Sequence, residues 1–283
     1  MRTRRIGDTT VGAVGLGAMP MSLAGRPDQG QSIATIHAAL DAGVTLIDTA
    51  DAYCIDERDI GHNESLIAKA LGSYPGGDGA LVATKGGHTR PRGSWGLDGS
   101  PRYLKRACEA SLQRLGVDAI GLYQLHRPDP RVRFEDSIGA LRDLLNEGKI
   151  RMAGVSNAGT RQIRAANEIL DGRLASVQNQ FSPQFRSSEP ELRLCDELGI
   201  AFLPWSPLGG IGRAGALGTR HARFHKIARD RGVSPQRVCL AWMLALSPVV
   251  IPIPGSTRPE TIRDSAAADD LQLTDDEVAS LGA

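Results

Sequence analysis

Along nearly the whole 283-residue chain, short apolar, β-branched runs alternate with longer stretches whose apolar residues recur at helical spacing. The first short run, VGAVGLG (11–17), follows RRIGDTT. Gly7-Asp8 supplies turn chemistry there, so residues 4–14 are expected to form a small hairpin ahead of the repeat. Periodicity predicts a helix over 32–42 ended by Gly43, a strand over 44–48, a helix over 64–71 stopped by Gly72 and a strand over 80–85. Residues 101–115 read as a helix with Ser100 as cap, Pro101 at the first position and Gly116 as stop. The rhythm continues with strand 119–126, helix 134–148, strand 150–157, helix 160–170, strand 176–180, helix 189–199 and strand 200–206. A glycine-rich loop leads to helical stretches over 221–232 and 234–246. VVIPIP (249–254) reads as the last strand, followed by helices over 258–268 and 274–282, the second opened by a capping box of Thr274 and Glu277.

Counted from GAVGLG, these make eight strands, spaced as βα units are, about 25–45 residues apart. The expected fold is α/β: a (β/α)8 TIM barrel with an N-terminal β-hairpin, one domain over residues 1–283. No linker or composition shift divides the chain. The competing architecture is a doubly wound open sheet.

In such a barrel the reactive face is the C-terminal end of the strands. The residues just past each strand are polar and reactive. Asp48 and Tyr53 come after the second strand, Lys85 after the third, His126 with Arg127 and Pro128 after the fourth. Ser156-Asn157 end the fifth, Gln178 lies in the sixth, Trp205-Ser206-Pro207 end the seventh, and Gly255-Ser256-Thr257-Arg258 lie past the eighth. Each alone has an ordinary reading: Asp48 a turn residue, Tyr53 a packing residue, His126 a structural histidine. Lys85, directly after LVAT, is costly to bury unless paired.

Together the four residues after neighbouring strands have a chemical logic. A free phenol has a pKa near 10, too high for easy proton exchange at neutral pH. An ammonium beside it favours the phenolate and is expected to lower that pKa, while a carboxylate keeps the lysine charged and aimed. The imidazole can orient a carbonyl oxygen beside the phenol. No side chain here delivers a hydride, so the chemistry needs a cofactor.

DTADAY, ATKGG, LYQLHRPDP, GVSN, the Gln178 segment, WSPLGG and IPIPGSTRPE, in that order over almost the whole chain, resemble the aldo-keto reductase superfamily. The resemblance implies a (β/α)8 barrel whose hairpin closes the floor, and reduction of aldehydes and ketones with NADPH. It implies Tyr53 as general acid, Lys85 and Asp48 as its tuning pair, and His126 as the carbonyl-orienting group. Asn157 and Gln178, beside Ser156, would hold the nicotinamide carboxamide, with Trp205 where the family often stacks a tyrosine on that ring. Ser206, Pro207, Leu208 and Gly209 begin a loop, 207–217, expected to be mobile and to cover the cofactor pyrophosphate. Gly255, Ser256, Thr257 and Arg258 would meet the 2′-phosphate, and Asp264-Ser265 the adenine. Here the chain departs from the family: Gly255 replaces a usual lysine, Thr261 an arginine, and Asp264-Ser265 a Glu-Asn pair, which leaves Arg258 as the expected phosphate partner. Substrate walls are expected from Met19, Met21, Trp95 and His126. The short C-terminal tail implies an open pocket.

Composition narrows the remaining classes. With 33 Lys+Arg against 32 Asp+Glu, the chain has no basic excess with which to bind nucleic acid. The longest apolar runs are far short of the ~20 residues a membrane span needs. Cys54, Cys108, Cys195 and Cys239 form no CxxC, which reads as reduced cysteines of a cytoplasmic protein. GLGAMP (15–20) and GIGRAG (210–215) echo a dinucleotide fingerprint without its strand–turn–helix setting. His221 and His225 lack the glutamate and third ligand of a zinc site. DERDIGHNES (56–65) reads as a surface loop bordering the pocket, leading to a helix capped near Asn63. Two other functions fit the same residues: a cofactor-binding redox-sensing or regulatory subunit with little turnover, and a Schiff-base lyase with Lys85 as nucleophile. The expected partner is a small carbonyl compound.

Overall fold

The structure, a computed structural model, describes residues 1–282. Strands β1 (Thr3–Ile6) and β2 (Thr9–Gly12) pair antiparallel around Gly7-Asp8 as the expected hairpin. The chain then turns, and only Leu16–Gly17 of the first apolar run joins the main sheet, as β3. Helix α1 (Gln29–Asp41) starts earlier than its periodicity predicts, because Asp28 caps the Gln31 amide at 2.8 Å. Strand β4 (Leu46–Asp48), helix α2 (His62–Gly72) and strand β5 (Leu81–Gly86) follow. A two-stranded flap of β6 (His88–Thr89) and β7 (Gly96–Leu97) comes next, and it has no sequence signal.

Helix α3 (Pro101–Leu115) has the expected ends: Ser100 accepts from the Tyr103 amide and Gly116 caps it in the left-handed conformation. Then come β8 (Ile120–Leu125), α4 (Phe134–Asn146), β9 (Ile150–Ser156), α5 (Thr160–Ile169), β10 (Leu174–Gln178), α6 (Glu189–Leu198) and β11 (Ala201–Phe202). Helices α7 (Leu217–Arg220), α8 (Ala222–Arg231), α9 (Pro235–Leu246), α10 (Pro259–Ala266) and α11 (Asp275–Gly282) complete the chain. Thr274 and Glu277 form the expected capping box at α11.

Seven strands form one parallel sheet in the order β11-β10-β9-β8-β5-β4-β3. VVIPIP is not a regular eighth strand, and its prolines give the reason. On one side Phe202 N donates to Val249 O, while Ile251 N and Ile253 N donate to Phe202 O and Pro204 O. On the other side Pro252 and Pro254 face β3. They accept from Gly15 N and Gly17 N, both at 2.9 Å, but have no N–H to return. Half of that ladder is missing, yet residues 249–255 still join β11 to β3 and close a (β/α)8 barrel.

Inside, Leu46, Leu81, Leu122, Met152, Leu203 and Ile251 pack with Ile6 and Val11 of the hairpin, which plugs the floor. Outside, α3, α4 and α5 bury their apolar stripes against β8, β9 and β10. At the joint, a Cβ on Gly17 would lie 2.8 Å from the Ile253 carbonyl oxygen, and that neighbour is backbone. Gly17→Ala is therefore expected to force the seam apart and destabilise the fold by about 1–3 kcal/mol in urea denaturation. A loss below about 0.5 kcal/mol would show that the seam yields without strain.

Candidate active site

The two charges at the barrel mouth come from adjacent strands. Asp48 ends β4 opposite Ala83, and Lys85 lies two residues beyond Ala83 on the same inward face of β5. The Lys85 Nζ donates to Asp48 Oδ2 at 2.8 Å, to the Thr49 carbonyl at 2.7 Å and to the Tyr53 hydroxyl at 3.0 Å. All its donors are used, and Lys85 is wholly buried. The second Asp48 oxygen accepts from Gln178 Nε2 at 2.7 Å. Both carboxyl oxygens thus face N–H donors, and a proton on Asp48 would have nothing to bond to, so the group is a carboxylate. Burial lifts its pKa, and Lys85 and Gln178 oppose the rise. For Lys85, burial alone would lower the pKa, but Asp48 and then Tyr53 outweigh it and hold the group above its ordinary value. An ammonium with every proton donated has no lone pair for attack on a carbonyl, which disfavours the Schiff-base alternative.

Tyr53 reaches the pair from the loop after β4. That loop is tied down by Thr49 N and Asp51 N, which donate to the Ala83 and Lys85 carbonyls, and by Gly61 N, which donates to Asp51 O. Burial lifts the phenol above its ordinary value; Lys85 pulls the other way and Asp48 adds to the rise. Lys85 thus favours the phenolate as expected, but the net shift is upward rather than downward, because desolvation is the larger effect. Edge-on to the phenol stands the His126 ring, with centroids 5.5 Å apart. Burial, then Lys85, His88 and Arg127, push the imidazole well below its ordinary value, so it is neutral. Its Nδ1 is buried without a partner among the described residues.

Asp48, Tyr53 and His126 lie on a cavity of about 650 Å³, with Lys85 buried behind them. Met19, Trp95, His88 and Arg127 line one part of it, and Ser156, Asn157, Gln178 and Trp205 through Leu208 another, with Gly255, Ser256 and Thr257 beyond. Asn157 takes a left-handed backbone (φ 57°), and its Nδ2 donates to the His126 carbonyl and to Ser156 Oγ, both at 3.0 Å. The oxygens of the Asn157 and Gln178 amides accept no hydrogen bond from the described residues, and the buried indole N–H of Trp205 has no partner among them. Leu208, Gly210, Ile211, Gly212 and Ala214 of the 207–217 loop overhang the cavity. Ser206 and Gly209, Gly210 and Gly212 all have positive φ there. That is a backbone glycines adopt readily and Ser206 does not.

Several predicted residues lie elsewhere. Met21 is fully buried against α1 and α2 and does not line the cavity, because the chain turns through Met19–Met21 and leaves only Met19 on it. Gly209 lies outside its wall. Arg258 also lies outside, over half exposed and 3.4 Å from Glu260. Asp264 is bound by Arg237 and by the Ser234 hydroxyl, and Ser265 is buried. Asn63 is not a cap: Gly61 holds that position. The buried Asn63 accepts from Thr49 Oγ1 at 2.6 Å and donates to the Ala18 carbonyl, bracing the loop that carries Thr49. No residue of 56–65 lines the cavity. Sequence reasoning missed Thr49, whose contribution is a backbone carbonyl, and His88, whose position just after ATKGG was a readable signal.

Fold and site together define an oxidoreductase built on a (β/α)8 barrel. The chain belongs to the aldo/keto reductase family, whose model matches residues 13–283. It is 34% identical to an uncharacterised oxidoreductase of Schizosaccharomyces pombe, across 99% of this chain and 88% of that protein. A glycerol dehydrogenase from Gluconobacter oxydans superposes with TM-score 0.84 at 29% identity, covering 99% of this chain and 94% of its own. An aldo/keto reductase from Klebsiella pneumoniae, solved with NADP and acetate, gives TM-score 0.82 at 29% identity, covering 99% and 93%. Among the described residues no helix is long and apolar enough to cross a membrane.

The neutral His126 has a consequence for stability. Its folded pKa lies below the ordinary 6.5, so the unfolded chain binds the proton more readily. That contribution is full above pH 6.5 and is lost as pH falls from there toward the folded value. Melting temperature should therefore fall from pH 7 to pH 5, and less steeply in His126→Gln. Parallel curves for the two proteins would exclude His126 as the source.

Proposed function

We propose that the protein is an NADPH-dependent reductase of aldehydes and ketones, with Tyr53 as the proton donor. The observation that carries the reading is the Lys85 ammonium, fully buried and held jointly by Asp48, Thr49 and Tyr53 where the phenol meets His126 on the cavity. The cofactor fits the residues present. Two amide oxygens, on Asn157 and Gln178, are free to accept from a carboxamide, and the indole of Trp205 supplies a flat face. When bound, the reduced nicotinamide supplies a hydride.

The chain's own groups do the rest. A buried imidazole unpaired at Nδ1 costs less as a bare acceptor than as a stranded N–H, which places the ring proton on Nε2. That N–H donates to the substrate oxygen and sets it beside the phenol. Tyr53 gives its proton to the oxygen as charge develops there. The Lys85 ammonium, 3.0 Å from the hydroxyl, stabilises the phenolate left behind, and Asp48 and Thr49 keep the ammonium in place. The four cysteines are free and buried, which supports a reducing compartment, and we read the protein as cytoplasmic.

Tyr53→Phe should lower kcat by ~10²–10⁴-fold with an aromatic aldehyde while NADPH binding, read by its fluorescence, stays near wild type. Because burial raises the phenol pKa, wild-type kcat should stay flat through neutral pH and fall only above about 10. Retention of more than about a tenth of kcat in Tyr53→Phe, or a decline centred near pH 7, would remove Tyr53 from the role.

Cofactor choice rests on Arg258, which starts α10 and can fork onto a 2′-phosphate once released from Glu260. Arg258→Ala should raise the KM for NADPH about ten-fold or more and leave NADH nearly unchanged, as expected for a lost charge-assisted pair. Glu260→Gln, which frees the guanidinium, should lower the KM for NADPH. Equal losses with both cofactors would show that Arg258 does not read the phosphate.

A further inference from the structure

Among the described residues only two charged side chains line the catalytic cavity, Asp48 and Arg127. Asp48 is neutralised by Lys85 at 2.8 Å. Arg127 has no such partner among the described residues: it enters no hydrogen bond and no ion pair. The nearest acid along the chain is Asp129, which Arg131 holds at 2.9 Å and the Gly99 amide at 3.2 Å. Arg127 directly follows His126 and lines the same cavity as His126 and His88.

The wall around it is otherwise uncharged. His88 is fixed by its Nδ1 to the Gly96 carbonyl at 2.9 Å and stands edge-on to His126 at 4.3 Å. Trp95 is set against His88 at 5.2 Å and stacked on the Arg90 guanidinium at 4.0 Å. Met19 adds an apolar surface. Arg90 is thus a second cation, placed behind the indole, and no carboxylate of the described residues lines this part of the cavity. Arg127 is exposed at the cavity mouth, with no carboxylate of the described residues on this wall to compete, and its fork matches the two oxygens of a carboxylate.

We infer that Arg127 determines specificity in this cavity by binding a carboxylate carried a few bonds from the reacting carbonyl. The preferred substrate class is therefore an anionic aldehyde or ketone, an oxo acid in the broad sense. This rests on the carbonyl-reductase reading: His126 and Tyr53 receive the carbonyl, and the neighbouring side chain receives the anion.

The test uses an acid and its neutral ester, 4-formylbenzoate and methyl 4-formylbenzoate, with NADPH and with wild-type protein and Arg127→Gln. Wild type should favour the acid in kcat/KM by about ten-fold or more, and added salt should erode the preference. In Arg127→Gln the preference should collapse through KM for the acid, while constants for the ester and the KM for NADPH stay within about two-fold. Equal wild-type efficiencies for acid and ester would overturn the inference. So would equal losses on both substrates in the variant, or a raised KM for NADPH, which would assign Arg127 to the cofactor. If wild type reduces neither compound, the reductase reading fails, and binding decides separately on Arg127. In protein loaded with NADP, 4-(hydroxymethyl)benzoate should quench tryptophan fluorescence at lower concentration than its methyl ester, and the difference should vanish in Arg127→Gln. Equal quenching in wild type would overturn the assignment.

Discussion

A fully buried positive charge and a nearly buried negative one hold the mouth of this barrel together. The Lys85–Asp48 contact carries a desolvation cost of several kcal/mol per ion that only close partners offset. Every neighbour serves that requirement. Gln178 crosses from β10 to the second carboxylate oxygen, Thr49 turns its carbonyl inward, and Tyr53 supplies the third acceptor for the ammonium. Asn63 braces Thr49 from α2, and Thr84 and Arg114 both donate to the buried Glu64 one residue further along that helix. Removing either ion strands the other, a loss of about 3–5 kcal/mol in comparable buried pairs. The loop after β4, the N-terminus of α2 and the ends of two strands therefore stand or fall together.

The electrostatics separate the roles of the two rings. His126 is neutral because burial and three neighbouring cationic or basic groups oppose a second proton. Tyr53 stays protonated because desolvation exceeds the pull of Lys85. A neutral imidazole and a protonated phenol on one cavity fit the proposed reduction, in which a carbonyl oxygen meets two donors. In that proposal the lysine acts later, since its charge favours the phenolate most once the proton has left.

Much of this was legible in the residues. The βα rhythm is carried by local signals: Ser100, Pro101 and Gly116 bound α3, and the Thr274–Glu277 box opens α11. The four residues at the barrel mouth could be assembled because a barrel places all strand ends on one face. Features that depend on distant backbone were not legible. The Thr49 carbonyl has no side-chain signature, and the burial of Asn63 follows from contacts with Ala18 and Ser22, over forty residues away. Met19 and Met21 look alike in sequence, and only the short turn between them sends one to the cavity and the other to the core. The sign of the Tyr53 shift was missed because it depends on how completely the loop excludes water. Arg258 reads in sequence as a phosphate partner, and its ion pair with Glu260 two residues on appears only with the fold.

The prolines of VVIPIP also make the barrel wall asymmetric. Pro252 and Pro254 accept from β3 and have no N–H to return, so this joint lacks bonds that other residues at the same positions would supply. Gly255, Ser256 and Thr257 continue directly from it along the cavity rim. The cavity rim from Gly17 to Thr257 thus crosses this seam, and a ligand lying along it would touch both of the segments that close the barrel.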